Sequence, residues 1–261
     1  MTTDITPVAK KIAADIAEKK PFEPLGDEAG DMARGYAIQR SVAMELIRSG
    51  TRSGVAGFKV AVNSPALLKH FGVDEPAAAH VFADQVHSSP AQLKLSDYRD
   101  FVYEPEIAAV FGEALPPRDT PYTQDEVLAA IERFVAAFEI IDTRGAKIPE
   151  LRLPDGVAQN ITNAGAVLCG PDMPPEDLDA DTLITTVTEN GETILEATGA
   201  RPQPPLEAAT FVVNLYRSMG IGIDKGMFIL CGTHQPPKQL IEPTTVEVDM
   251  GPLGTAKFEL I

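Results

Sequence analysis

The sequence is short of cysteine, of positive charge and of long apolar runs, and each shortage excludes something. Only Cys169 and Cys231 occur, each closing an apolar run (AVLCG and FILCG), so neither a disulfide framework nor a cysteine metal site is expected. Both fit as small buried hydrophobes. Lys and Arg number 22 against 38 Asp and Glu, a net charge of −16. Such a chain repels nucleic acid and anionic membrane, so neither is an expected partner. It also repels a small anionic substrate, and an enzyme acting on one needs a local positive centre such as a metal ion. No stretch reaches the ~20 apolar residues of a membrane span. The opening MTTDITPVAKK lacks the apolar core of a signal peptide. The expectation is a reduced, cytoplasmic protein. The four histidines, His70, His80, His87 and His234, show no metal-motif spacing, which speaks against zinc-type chemistry. His80 and His87 flank Asp84 and are expected at surface loop positions.

What is present is a globular composition. The chain has 261 residues, 44% hydrophobic and 23% charged, enough for one large domain with a real core. Val8, Ile12 and Ile16 recur at helical spacing, and a second helix is predicted over 31–50, stopping at Gly50. GVAGFKVAVNS, holding Lys59, reads as β, and Ser64 is a candidate N-cap for the helix that follows. TQDE (123–126) is a capping box. Val127, Ile131, Phe134, Val135 and Phe138 then mark one apolar helical face. FEIIDTR reads as a strand, with Phe138 and Ile140 facing one way and Glu139, Ile141 and Thr143 the other.

Asn190-Gly191 marks a hairpin. PPLEAATFVVNLYRSMG is a helix with Leu206, Ala209, Val213 and Tyr216 on one face, GMFILCG a short buried strand, and the last residues a hairpin turning at Gly251–Gly254. Pro-rich stretches at 116–121, 171–175 and 202–205 read as loops. The class is α+β, with a mixed, partly rolled β-sheet and flanking helices. Residues 1–55 form a helical N-terminal part and 56–261 a β-rich core of a single compact chain.

One stretch stands out, YEPEIAAVFG (103–112). In a strand, Glu104 and Glu106 lie roughly 6.5–7 Å apart on one face. Pro105 removes a ladder donor, which suggests an edge, a strand start or a bulge. Two carboxylates so placed can converge on a hard divalent cation, Mg²⁺ or Mn²⁺. Glu139, a lone carboxylate in an apolar strand, is the candidate third ligand. On the residues alone, three exposed strand ends explain the same pattern, and both readings stand open.

YEPEIAAVFG followed a helix later by FEIIDTR resembles the fumarylacetoacetate hydrolase superfamily, and within it the 2-keto-4-pentenoate hydratases and 4-oxalocrotonate decarboxylases. GYAIQRS, GFKVAVNS, FADQ, AQNITNAG, ATGA, GMFILCGT and MGPLGTAKFEL resemble further segments of that subgroup, in the same order over nearly the whole chain. Gln159 stands where the family has Asp, Ala61 where it has a second Gly, Thr162-Asn163-Ala164 where it has Ser-Ser-Gly, and Gln203-Pro204-Pro205 where it has Gly-His-Pro.

The resemblance implies a fumarylacetoacetate hydrolase-like rolled sheet and a homo-oligomer. It implies Mg²⁺ or Mn²⁺ held by Glu104, Glu106 and Glu139, and a small 2-oxo or 2-hydroxydienoic acid as substrate. Lys59 and Asp84 match pocket positions and become candidate catalytic residues; the residue-level alternatives are a strand-edge lysine and a turn-forming aspartate. Asn160, Thr162 and Asn163 become candidate substrate-binding residues, or else a polar loop. Thr233 is a weaker candidate, and Arg144 either binds a second carboxylate or pairs with Asp142 or Glu150. The expected activity is a hydro-lyase adding water to a 2-hydroxydienoate. The alternatives are a decarboxylase and a non-catalytic assembly partner.

Overall fold

The computed structural model describes residues 4–147, 150–170, 174 and 178–261. The expected loop at 171–175 lies, apart from Pro174, outside the described residues.

The N-terminal helices form as expected. Helix α1 (Thr6–Ala17) buries Val8, Ala9, Ile12 and Ala13. Helix α2 (Met32–Arg48) is capped by the Asp31 carboxylate, which accepts from the Arg34 N–H. These faces share a small core through Ile38, Val42 and Leu46. Strand β1 (Val55–Ala61) leads to the short helix α3 (Pro65–Phe71), where the Ser64 hydroxyl accepts from the Leu67 N–H. Then follow β2 (Ala77–Phe82), β3 (Val86–Ser88), β4 (Ala91–Leu93) and the long β5 (Phe101–Phe111).

The capping box at Thr123 starts α4 (Gln124–Ala130). Here the structure corrects the expected helix: α4 stops at Ala130, and Ile131–Asp142 is one twelve-residue strand, β6. The run is apolar on both faces, which suits a central strand as well as a helix, and length of pairing decides. β6 pairs with β5 from Ile131 to Asp142, closing a ladder that a longer helix would forfeit.

The remainder is α5 (Leu153–Ala158), β7 (Asn163–Leu168), the hairpin β8 (Ile184–Glu189) and β9 (Glu192–Thr198), α6 (Pro205–Ser218), β10 (Phe228–Thr233), β11 (Lys238–Gln239), β12 (Thr244–Asp249) and β13 (Thr255–Leu260). The fold is α+β. A mixed eight-stranded sheet runs β2-β1-β10-β5-β6-β7-β3, with β11 beside β5, and a five-stranded sheet runs β4-β13-β12-β8-β9. The sheets roll onto one another through Phe258, whose ring lies 5.0 Å from Phe138 and 5.6 Å from Tyr103. Helix α6 covers β1 and β10, with Tyr216 4.1 Å from Phe58 between ring centroids.

β5 is central, between β10 and β6, so Pro105 does not mark an edge. The β10–β5 register shifts between Leu230 and Thr233, opposite Ile107, and beyond it the Pro105 carbonyl accepts from His234 N–H at 2.9 Å.

Candidate metal centre and active site

Strand alternation builds the site. Glu104 pairs directly with Glu139 and Glu106 with Ala137 across β5–β6. Tyr103, Pro105, Phe138 and Ile140 therefore face the second sheet, and Glu104, Glu106, Glu139 and Ile141 face the other way. One carboxylate oxygen from each of Glu104, Glu106 and Glu139 lies within 4.8 Å of the others. Glu139 is 0% exposed, Glu106 1% and Lys59 3%, so these are buried charges and not solvated strand ends.

Lys59, from β1, reaches Glu139 Oε1 with its Nζ at 2.9 Å. The Asn163 side-chain N–H donates to the same oxygen at 3.0 Å. Glu106 Oε2 accepts from the Gly232 backbone N–H at 2.7 Å. Glu139 Oε2 is buried without a partner. An orphaned buried carboxylate oxygen beside two more carboxylates is completed by a proton held between them or by a cation.

Burial, then Glu139, pushes the Glu104 carboxyl up to about 8. Burial, then Glu139 and Glu104, holds Glu106 well above the carboxylate range against the opposing Gly232 hydrogen bond. Burial pulls Lys59 down, but Glu139, Glu104 and Glu106 outweigh it and leave it raised and charged. One ammonium is too little for three carboxylates. Oxygen-only donors and the unpartnered Oε2 fit a hard divalent cation.

Glu104, Glu106 and Lys59 line a cavity of about 140 Å³. Its far wall is apolar: Val62, Leu67 and Phe71 around α3, with Val102, Ile141 and Ile161. Thr162 and Thr233 also line it. Asn163 reaches the site through Glu139 rather than by lining the cavity. Asn160 stands behind: its amide accepts from His80 N–H and donates to His80 C=O, both at 2.9 Å.

That clamp fixes an unusual backbone. Asn160, Ile161 and Thr162 are successively left-handed, with φ of 58°, 45° and 55°. Such residues cost about 1–3 kcal/mol each and persist where the surroundings over-determine them. Here they turn Ile161 and Thr162 into the cavity.

The structure does not bring Asp84 to the cavity. It sits in the turn after β2, accepting from Ser53 N–H at 2.8 Å and facing Arg52 at 3.6 Å. Arg144 binds neither Asp142 nor Glu150 through its guanidinium, which donates to Gln159 Oε1 and the Lys20 carbonyl. His80 is no loop residue: it is buried in β2 between Phe58 and Phe82. Desolvation pushes it down to about 4.

Sequence reasoning missed Gly232, Asn63 and the α3 wall. Gly232 has φ +115° and lies where a Cβ would come 2.6 Å from Asn63 Nδ2, so only glycine places this N–H on Glu106. A glycine ending a buried strand was the available signal. Nothing local marks α3 as a cavity wall.

No family model matches the chain. A 2-keto-4-pentenoate hydratase from Burkholderia vietnamiensis (strain G4 / LMG 22486) is 27% identical over 256 residues, covering 97% of this chain and 96% of the relative. A 4-oxalocrotonate decarboxylase from Pseudomonas sp is 26% identical over 256 residues, covering 97% of each. The structure of 4-oxalocrotonate decarboxylase from Pseudomonas putida G7, complexed with magnesium and adipate, superposes with a TM-score of 0.85 at 21% identity over 98% of this chain and 97% of that one. The resemblance to the fumarylacetoacetate hydrolase superfamily, and within it to these hydratases and decarboxylases, holds in sequence over nearly the whole chain and in fold.

Proposed function

We propose that the chain is a divalent-metal-dependent lyase of the 2-keto-4-pentenoate hydratase type, adding water to a short 2-hydroxydienoate or its 2-oxo form. The observation that carries this is the buried Glu104–Glu106–Glu139 cluster with Lys59 on it. Glu104, Glu106 and Glu139 would hold Mg²⁺ or Mn²⁺. The bound cation supplies Lewis acidity toward a 2-oxo or enol oxygen and positive charge beside an anionic substrate.

The chain's own groups do the rest. Lys59 lines the cavity beside the carboxylates as an ammonium and is the candidate acid of the reaction. Gly232 N–H and Asn163 fix the orientation of Glu106 and Glu139. The Thr162 hydroxyl is the candidate contact for the substrate head, with Asn160 holding its backbone in place. Asp84, which stands with Ser53 and Arg52 and does not line the cavity, is given no role in this proposal. A homo-oligomer belongs to the same proposal and is read by light scattering.

Decarboxylation is the second reading, supported by the likeness to decarboxylases, since the same electron sink serves loss of CO₂. The deciding experiment follows dienoate absorbance and CO₂ release in parallel, with Mg²⁺ present. Loss of absorbance without CO₂, abolished in Glu106→Gln, is the expected result. CO₂ release from a dicarboxylic substrate supports the decarboxylase. Neither reaction, despite bound metal, supports a non-catalytic partner.

A further inference from the structure

We infer that the cavity selects a monocarboxylic acid with an apolar tail and rejects a second carboxylate at the substrate's far end. This rests on the metal-dependent reading above. It follows from what the cavity wall offers beyond its charged floor. Val62, Leu67, Phe71, Val102, Ile141 and Ile161 form that wall. The polar groups among them, Asn63, Thr143, Thr162 and Thr233, are uncharged. Among the described residues, Lys59 is the one cation lining the cavity, and it is committed to Glu139 at 2.9 Å.

The arginines of this region open elsewhere. Arg52 and Arg144 line a separate cavity of about 150 Å³ that has only Thr162 in common with the first. Arg144 is held by Gln159 and the Lys20 carbonyl, and Arg52 faces Asp84 at 3.6 Å.

Charge balance points the same way. With all three carboxylates ionised, as cation ligands are, they and Lys59 sum to −2. A divalent cation cancels this, and a substrate head carboxylate then adds a single negative charge beside the cation. A second carboxylate would find apolar side chains and uncharged Asn and Thr groups but no free cation, and a buried charge without a counter-ion is strongly disfavoured. Each tail methylene buried there instead favours binding about fourfold.

The test is calorimetry on the full chain with Mg²⁺, using oxalate, 2-oxohexanoate and 2-oxoadipate, saturated probes with nothing to hydrate. Oxalate and 2-oxohexanoate are expected to bind, with 2-oxoadipate weaker by about tenfold or more. Leu67→Arg is expected to narrow that gap a few-fold by strengthening 2-oxoadipate; Leu67 is 42% exposed on α3, so the variant keeps its fold. If oxalate binds and 2-oxoadipate equals or exceeds 2-oxohexanoate, the specificity inference is overturned while the metal reading stands. Loss of that 2-oxoadipate affinity in Arg52→Gln would then place the second carboxylate in the neighbouring cavity. If oxalate also fails to bind, the metal reading falls and takes this inference with it.

Discussion

Glu104 sits directly opposite Glu139 in the β5–β6 ladder, two carboxylates paired where a sheet ordinarily avoids like charges. Both are buried, and one lysine compensates them. The arrangement lowers the stability of the metal-free fold and is completed by a cation.

Metal-free Glu104→Gln is therefore expected to be at least as stable as the wild type. Saturating Mg²⁺, near one hundred times its Kd, should add about 2.7 kcal/mol to the wild type. For a chain of this size that is a Tm rise of about 5–10 °C. The variant should show less than a third of that rise. An equal Mg²⁺ shift in both proteins would remove Glu104 from the site.

Lys59→Met tests the other half of the balance. Removing one partner of a buried ion pair costs about 3–5 kcal/mol. Urea unfolding of the metal-free variant should show a loss of that order, and Mg²⁺ should recover part of it. A loss under 1 kcal/mol would mean that the carboxylates do not need this ammonium.

Asn163→Ala removes the hydrogen bond to Glu139 Oε1 without removing a carboxylate. Partners that orient metal-binding groups are worth about 10–100-fold in affinity. Mg²⁺ titration should show a loss in that range, with the metal-free Tm within 2–4 °C of wild type, the shift of about 1 kcal/mol. Unchanged affinity would leave Asn163 a bystander.

His80 gives a pH dependence away from the carboxylates. Burial lowers it from 6.5 to about 4, so the unfolded chain takes up its proton first as pH falls. Its contribution is whole above pH 6.5 and is lost between 6.5 and 4, at up to about 1.4 kcal/mol per pH unit. His80→Phe keeps an aromatic ring beside Phe58 and Tyr216 and cannot titrate. Its stability should fall less steeply over that window. Parallel curves for the two proteins would show that His80 does not set the slope.

The sequence carried those parts of the fold that depend on local chemistry. Thr123–Glu126, Ser64 and Asn190-Gly191 each act within four residues, and each is where it was expected. The Glu104, Glu106 and Glu139 convergence was readable because a period of two fixes their face. The end of α4 was not, because Ile131–Phe138 is apolar at either period and its partner on β5 decides. His80 reads as a loop residue because the turn-forming Asp84 is near it, while Ala77–Phe82 form a strand buried along its whole length. Asp84 matched a pocket position in sequence yet faces Ser53 and Arg52, and the α3 wall is a tertiary feature with no local mark.

The most direct measurement is calorimetric titration of Mg²⁺ and Mn²⁺ into the wild type and Glu106→Gln, with and without oxalate. Binding to the wild type, tightened by oxalate and lost in the variant, is the predicted result. Equal binding to both proteins, or none to either, would contradict the carboxylate cluster as a metal centre and the lyase reading built on it.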